Sequence, residues 1–370
     1  MGLKKSSDHS IRKRLEKNED SLSPFAARSQ FSLGRSLEEI PSPVRTDFQR
    51  DRDRIIHCKA FRRLKDKTQV FIAPVGDHYA NRLTHTLQVS QIARTIARAL
   101  NVNEDLTEAI STGHDMGHTP FGHLGESELN NLRPSGFRHS QQSLRIVECI
   151  ENNGLGLNLT KEVRDGILHH SKPKGDFLAG DRSGQMTIEA QIVRISDAIA
   201  YLNHDLLDAF RSGVLQEKDV PSDVLDLFGR THSQRVNSMV SDVIDASWSN
   251  INHPLGQTIE YDKNSNKSDI SMSPCARSKI VALRTFMFER VYLPQDIDEQ
   301  GESAREIVRL LYSYYRARPD EMPLEYRESE FQDEDQVVDY VSGMTDRFAL
   351  RVAEMIKPGI SKAFEDGRVL

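Results

Sequence analysis

Proton-active and metal-binding side chains are concentrated in residues 113–126, which read GHDMGHTPFGHLGE. These fourteen positions contain four glycines, one proline and five such side chains: His114, Asp115, His118, His123 and Glu126. Imidazole and carboxylate groups bind divalent transition metals and transfer protons near neutral pH. Because glycine and proline interrupt a regular helix, we expect a turn that brings the later residues back across a metal site.

Two predicted helices lead into this segment. The stretch HTLQVSQIARTIARAL has apolar residues at steps of three and four, the spacing of one helix face, and His85 lies on that face. The stretch NEDLTEAISTGHD follows, with Asn103 as the predicted N-cap and acidic residues in the first turn. Its apolar face continues to His114. The two helices therefore direct both histidines towards the core.

A third predicted helix, TIEAQIVRISDAIAYLNHDLLDAF, has a stripe of isoleucine and leucine at helical spacing. Beside the stripe, Asp197, Tyr201 and Asp205 follow one another at steps of four. Acidic side chains are rarely buried without a partner. This polar line therefore needs an explanation in terms of bound groups.

We predict that His85, His114, Asp115 and Asp197 bind one cation. Taken singly, each is more often a hydrogen-bonded or ion-paired core residue, but together they would leave several buried charges unpaired unless a cation joined them. Two imidazoles and two carboxylates suit Mn²⁺, Fe²⁺, Zn²⁺, Co²⁺ or Ni²⁺, and Mg²⁺ less typically. We expect Mn²⁺ or Mg²⁺ here, with coordination positions open to water and substrate.

The remaining residues of the opening segment suggest proton transfer beside the cation. A carboxylate that is hydrogen-bonded to an imidazole sets the tautomer of the ring and can raise its basicity. We therefore assign His123 with Glu126 to proton transfer or nucleophile activation, and His118 to phosphate contact. The alternative for His118 is a histidine that caps a helix or tethers a loop.

Helical patterns cover most of the 370 residues, so we predict an all-α bundle with peripheral helices. Residues 1–40 are polar and predict a loose arm. We expect a helical core over residues 41–251, a polar loop over residues 252–276, and a C-terminal helical part over residues 277–370 that packs on the core. KTQVFIAP, residues 67–74, predicts a short hairpin strand.

Composition excludes several classes of protein. The chain lacks the run of about 20 apolar residues that a membrane span needs, and its three scattered cysteines fit a cytoplasmic location. The net charge of −6 argues against a surface built throughout for nucleic acid. Residues 45–67 nevertheless carry nine arginines and lysines. This run is either a solvated face or a polyphosphate-binding surface.

With these residues in place, the chain resembles the HD-domain metal-dependent phosphohydrolases, whose signature is H…HD…D. Its longer strings resemble the deoxyguanosine triphosphate triphosphohydrolase-like branch in order and spacing. They are FQRDRDRIIHCKAFRRLKDKTQVF, GDHYANRLTHTLQVSQIARTIARAL, GHDMGHTPFGHLGE, SDAIAYLNHDLLDA and DYVSGMTDRFA. The resemblance runs from about residue 24 to residue 356 and implies that residues 41–251 form an HD-domain catalytic core.

The resemblance implies hydrolysis of a deoxynucleoside triphosphate at the α-phosphate, which releases deoxynucleoside and intact triphosphate. It implies the same four metal ligands, and His123 with Glu126 as the catalytic pair. It also implies phosphate contacts from Arg82, His118 and His139. The deoxyribose would be bound by Gln69, Tyr201 and Asp205, with Tyr201 packed where a ribose 2′-hydroxyl would clash.

Several properties remain open at this stage. His169 or His170 could hold a second metal, although a helix end facing solvent is the expected role of this pair. The resemblance implies a homo-oligomer, dimer-based or hexameric, and it leaves open regulation by a nucleotide or by single-stranded nucleic acid. It does not define the preferred base.

Two other functions compete with this interpretation. One is an HD-type phosphodiesterase or 5′-nucleotidase that acts on another nucleotide; Tyr201, Asp205 and the basic run argue against it. The other is a regulatory protein that binds nucleotides or single-stranded DNA without turnover. Degenerate relatives of that kind normally lose a metal ligand or the His–Glu pair, and this chain has all of them.

Overall fold

The computed structural model describes residues 11–70, 79–171, 186–251, 270–327 and 333–367. These residues are predominantly helical, which confirms the predicted all-α class. Within the described ranges, β pairing is limited to two isolated bridges, Arg35 with Thr160 and Thr68 with Asn81. Most of the predicted strand at residues 67–74 lies outside the described residues.

The helices alternate with short turns along the chain. Their bounds are α1 Ile11–Asn18, α2 Asp47–His57, α3 Lys59–Arg63, α4 Arg82–Ala99, α5 Glu104–Gly113, α6 Gly122–Leu132, α7 His139–Arg145, α8 Lys161–His169, α9 Ile188–Arg211, α10 Ser222–Phe228, α11 His232–Ile251, α12 Pro274–Met287, α13 Leu293–Ile297, α14 Glu299–Ala317, α15 Leu324–Arg327, α16 Asp333–Ser342 and α17 Asp346–Ile356. Single π turns, Ile146–Ile150 and Phe288–Tyr292, extend α7 and α12.

The three helices predicted around the site all form, and local caps define where they begin. The Asn81 side chain accepts the N–H of Thr84 at the start of α4. The Asn103 side chain accepts the N–H of Leu106 and begins α5, as predicted. Thr187 caps α9 in the same way. An N-cap of this kind satisfies a backbone donor that would otherwise lack a partner.

The expectation of a loose arm over residues 1–40 is wrong for the residues described from 11 onward. Glu19 is buried, and its carboxylate accepts the N–H of Ser29 at 2.7 Å. The N–H of Ala27 donates to Glu189 at the start of α9. The polar composition led to a wrong prediction because these polar groups form hydrogen bonds within the folded protein and not with water.

The apolar core has two parts. The larger joins α2, α4, α5, α8, α9, α11 and α12. The smaller joins residues of α14, α16 and α17 with Phe121, Leu124 and Leu129 at the start of and within α6. Helix α6, which carries Glu126, therefore packs in the smaller core. Within the described residues, no helix is both long enough and apolar enough to cross a membrane.

Candidate active site

Three predicted metal ligands converge in the larger core. The donor atoms of His85 on α4 and of His114 and Asp115, directly after α5, all lie within 4.8 Å of one another, and all three residues are buried. Asp197 on α9 lies beside this set, with its Oδ1 at 3.3 Å from His85 Nε2. The four groups come from three helices, as the sequence predicts.

The tautomer of His114 suits a metal ligand. Its Nδ1 lies 2.6 Å from the carbonyl oxygen of Ser111, which can only accept, so Nδ1 carries the hydrogen. Its Nε2 is buried, has no hydrogen-bond partner among the described residues, and lies 3.5 Å from Asp115 Oδ1. A lone pair held beside a carboxylate in a dry site is what a cation would satisfy, and the fixed Nδ1–H is the usual support of a histidine ligand.

Asp115 is the electrostatic centre of the site. Arg82 Nη1 donates to its Oδ2 at 2.8 Å, and His118 Nε2 lies 3.2 Å from its Oδ1. Burial would raise the pKa of Asp115, but His114, His118 and Arg82 hold it well below its ordinary value. Asp115 is therefore ionised and can bind a cation. Arg82, predicted to contact phosphate, lies next to the metal ligands as expected.

Glu126 pairs with His139 and not with His123. Its carboxylate lies 2.9 Å from His139 Nδ1 and also accepts the backbone N–H of His139. His118 stacks on the His139 ring with 3.9 Å between ring centroids. Burial would raise the pKa of Glu126, but His139 and His118 lower it to about 2. The three residues form one cluster, which contacts Asp115 through His118.

His123 lies at the rim of the site, where the sequence interpretation placed it in the centre. Its Nε2 is 2.7 Å from Asp296 Oδ1, and its side chain is 40% exposed. Phe121 and Gly122 have positive φ values of 60° and 57°, and α6 begins within this bend, at Gly122. Glu126 consequently faces α7, while His123 meets α13. Asp296 comes from far along the chain, so sequence spacing could not indicate it.

Residues 114–121, between α5 and α6, form the catalytic turn, and α7 can approach this turn closely because of Gly117. A Cβ at this position would lie 2.3 Å from the carbonyl oxygen of His139 and 2.2 Å from the backbone nitrogen of Ser143. Any other residue would push α7 away, because neither backbone atom can move independently of its helix. Gly117 therefore allows His139, the first residue of α7, to reach Glu126.

His170 belongs to the site, contrary to the expectation of a helix end facing solvent. It is 1% exposed, and its Nε2 lies 3.1 Å from His139 Nε2 and 3.9 Å from Asp115 Oδ1. Donor atoms of these three residues lie within 4.8 Å of one another, so they form a second set of possible metal ligands. His169 Nδ1 instead donates to the carbonyl oxygen of Asp165 at 2.8 Å.

The polar line of α9 leads away from the metal ligands. Beyond Asp197 and Tyr201, the Asp205 carboxylate accepts the hydroxyl of Tyr292 at 2.6 Å. His204, which the sequence interpretation missed, has its ring 5.0 Å from that of His85. His204 lies seven residues after Asp197, on nearly the same helix face, and this spacing is the signal that could have identified it.

Gln69, predicted to bind sugar, lies near Gly122 and Arg82. A Cβ on Gly122 would be 3.4 Å from the Gln69 carbonyl oxygen and 3.1 Å from Arg82 Nη2. The side-chain oxygen of Gln69 is buried without a hydrogen-bond partner in the part of the chain that the structure describes. Tyr292, which donates to Asp205 on α9, is a further polar group. The sequence predicted neither the position of Tyr292 nor this hydrogen bond.

Family models match two segments of the chain. The HD domain matches residues 82–202, and the phosphohydrolase-associated domain matches residues 270–355. The first contains all four predicted metal ligands, together with Glu126, His139 and His170. The second contains Tyr292, Asp296 and the segment DYVSGMTDRFA.

The chain is also similar to curated proteins over most of its length. A deoxyguanosinetriphosphate triphosphohydrolase-like protein of Caldanaerobacter subterraneus subsp. tengcongensis is 51% identical over 331 residues, 89% of this chain and 90% of the relative. Proteins of the same name from Desulfatibacillum aliphaticivorans and Clostridium tetani are 46% and 45% identical, and each alignment covers 92% of this chain and at least 94% of the relative. The chain belongs to the deoxyguanosinetriphosphate triphosphohydrolase-like family of HD-domain proteins.

Proposed function

We propose that the protein hydrolyses deoxynucleoside triphosphates, dGTP-like substrates among them, at the α-phosphate and releases deoxynucleoside and inorganic triphosphate. The observation that carries the proposal is the ionised Asp115, which lies next to the candidate metal-binding histidines and next to His118 of the cluster that contains Glu126 and His139. The relatives with 45–51% identity are named deoxyguanosinetriphosphate triphosphohydrolase-like proteins, which supports the proposal.

A divalent cation fits His85, His114, Asp115 and Asp197. When bound, it would supply a coordinated water of lowered pKa and polarise a phosphate oxygen. Arg82 adds a fixed positive charge beside these ligands, suited to the triphosphate. Its bond to Asp115 is one that a phosphate group could replace.

Glu126 and His139 are suited to transfer a proton beside the bound triphosphate. Since Glu126 is ionised, His139 Nδ1 donates to it, and His139 Nε2, which lies 3.1 Å from His170 Nε2, is the nitrogen that can exchange a proton. Burial lowers the pKa of His139, but Glu126 more than compensates and raises it above its ordinary value. By contrast, burial, Arg82 and His139 lower the pKa of His118 to about 3. His118 is therefore neutral and suited to hydrogen bonding with phosphate.

His123 and Asp296 form a separate His–carboxylate pair on the sugar side. The His123 ring lies 6.4 Å from the Tyr292 ring, and Tyr292 in turn donates to Asp205. A sugar bound between Tyr201 and Asp205 would bring its 5′-oxygen, the leaving group, towards this pair. We assign His123 to protonation of that oxygen, with Asp296 orienting the ring.

One observation favours the alternative of an HD-type phosphodiesterase or 5′-nucleotidase. The second donor set, Asp115, His139 and His170, shares Asp115 with the first, and two-metal sites are common in phosphatases and nucleases. A protein of that class would release orthophosphate or a monophosphate. The regulatory alternative, nucleotide or single-stranded DNA binding without turnover, has no described feature that favours it.

Incubation with each of the four deoxynucleoside and four ribonucleoside triphosphates, with Mn²⁺ or Mg²⁺, tests the proposal. We expect deoxynucleoside and inorganic triphosphate from at least one deoxynucleotide, and weaker turnover of the matching ribonucleotide. Orthophosphate as the only phosphate product would support the phosphodiesterase or nucleotidase alternative. Binding without turnover in either metal would support the regulatory one.

A further inference from the structure

The segment DYVSGMTDRFA, residues 339–349, has no part in the chemistry described above. It joins the end of α16 to the start of α17, in the smaller apolar core. Its polar groups are nevertheless linked by hydrogen bonds to elements that carry candidate active-site residues. Three independent connections run from this segment to residues that the proposed reaction uses.

The first connection is through Lys67. This lysine is 2% exposed, and its ammonium donates to the carbonyl oxygens of His118 and of Ser342, the latter at 2.9 Å. A buried ammonium is costly unless its hydrogens are bonded. Lys67 therefore ties the backbone of the catalytic turn to the end of α16.

The second connection is through Asp346. One carboxylate oxygen accepts the N–H of Phe121 at 3.0 Å, and the other accepts the N–H of Thr68 at 2.8 Å. Phe121 has the left-handed conformation that starts α6, a strained arrangement for a bulky side chain. Asp346 is 9% exposed, so water does not compete strongly for these bonds. It holds the turn at the end opposite to His118.

The third connection is through Asp339. Its carboxylate accepts hydrogen bonds from Gln142 at 2.9 Å and from Arg145 at 2.7 Å, and both residues lie on α7. His139 is the first residue of that helix. Residues 339–346 are thus hydrogen-bonded to α7, which begins with His139. They are also linked to the turn that contains His118, both directly and through Lys67.

We propose that residues 339–346 and Lys67 together act as a positioning clamp, in which Lys67 and Asp346 hold the His118–Phe121 turn in its catalytic geometry. The clamp rests on the proposed function for its effect on turnover. It assigns to the C-terminal helical part a role in catalysis, because an active-site group displaced by about 1 Å can lose about 10²-fold in rate. Lys67 and Asp346 touch no reacting atom, so they are positioning residues.

The test compares Asp346→Asn and Lys67→Met with a matched control, Asp51→Asn. Asp51 is also fully buried and accepts a backbone N–H, that of Thr160 at 2.8 Å, but its partners Thr160 and Arg35 are not candidate site residues. Both clamp variants should keep the bound Mn²⁺ and lose on the order of 10²-fold in kcat, with a smaller change in KM. Asp51→Asn should lose thermal stability while its kcat stays within about twofold. Lys67→Arg, which retains the charge and the donors, should recover part of the loss seen in Lys67→Met.

Hydrogen exchange of the full-length protein supplies a readout that does not depend on activity. The backbone amides of His118, Thr119 and Phe121 should exchange faster in Asp346→Asn than in wild type, and at the wild-type rate in Asp51→Asn. This comparison tests the clamp even if wild type hydrolyses no deoxynucleotide, in which case only the proposed function fails. Unchanged exchange at the turn, or a kcat for Asp346→Asn equal to that of Asp51→Asn, would overturn the clamp. A Lys67→Arg variant as impaired as Lys67→Met would count against the role of Lys67.

Discussion

At the scale of single residues, the sequence indicates the candidate metal ligands but not the partners of Glu126 and His123. His85, His114, Asp115 and Asp197 stand out because each lies on the apolar face of a predicted helix, where a polar group is unusual. The partner of Glu126 depends on where α7 packs against the turn, and the partner of His123 comes from α13. Such contacts between distant segments leave no periodic signal in a single sequence.

Loss of one carboxylate should abolish the metal centre. Asp115→Ala removes the carboxylate that faces His85, His114, His118 and Arg82 together, and leaves the positive charge of Arg82 without its partner. We expect metal content and turnover to fall together, as measured by elemental analysis and by product formation. His169→Ala is the control, since its ring bonds to a backbone carbonyl outside the site. Retention of stoichiometric metal in Asp115→Ala would contradict the ligand assignment.

Removing the charge of Glu126 should change the pH dependence of turnover. Desolvation lowers the pKa of His139 and Glu126 raises it, so Glu126→Gln should lower that pKa and move the limb of the kcat/KM profile that His139 governs to lower pH. We also expect about 10²-fold lower kcat with the metal retained. A profile that keeps its wild-type position would argue that His139 does not transfer the proton.

At the scale of helices, local sequence signals predicted which helices form around the site and where they begin. Asn103 caps α5 as expected, and the isoleucine stripe of α9 is buried. The N-terminal segment was mispredicted because its hydrogen bonds are made to α5 and α9, which no local pattern reveals. Glu189 is the clearest case, since it accepts the N–H groups of both Ala27 and Asn103 at 3.0 Å.

Glu189 should make stability depend on pH. Burial raises its pKa from 4.5 to about 7, so the folded protein holds a proton that the unfolded chain releases above about pH 4.5. This contribution favours folding most below that pH and is lost as the pH rises through 7. Glu189→Gln cannot titrate and should flatten the dependence, with a gain relative to wild type on the order of 1–3 kcal/mol above pH 7. Denaturant unfolding across this range measures it, and parallel curves for the two proteins would contradict the account.

At the scale of the whole molecule, the active site lies between two apolar cores. The HD domain supplies the candidate metal ligands, while the C-terminal helices supply Asp296, Tyr292 and the carboxylates of the proposed clamp. The sequence resemblance spans both parts, but it does not reveal that they share one catalytic turn. Assembly into a homo-oligomer stays a prediction, which sedimentation of the purified protein would test.

The central claim is that water attacks the α-phosphorus of a deoxynucleoside triphosphate at the centre built around Asp115. Turnover by the Mn²⁺-loaded protein in oxygen-18-labelled water, followed by mass analysis of the products, tests it most directly. The account predicts one labelled oxygen in inorganic triphosphate and none in the deoxynucleoside. Label in orthophosphate, or no triphosphate at all from the metal-loaded protein, would contradict it.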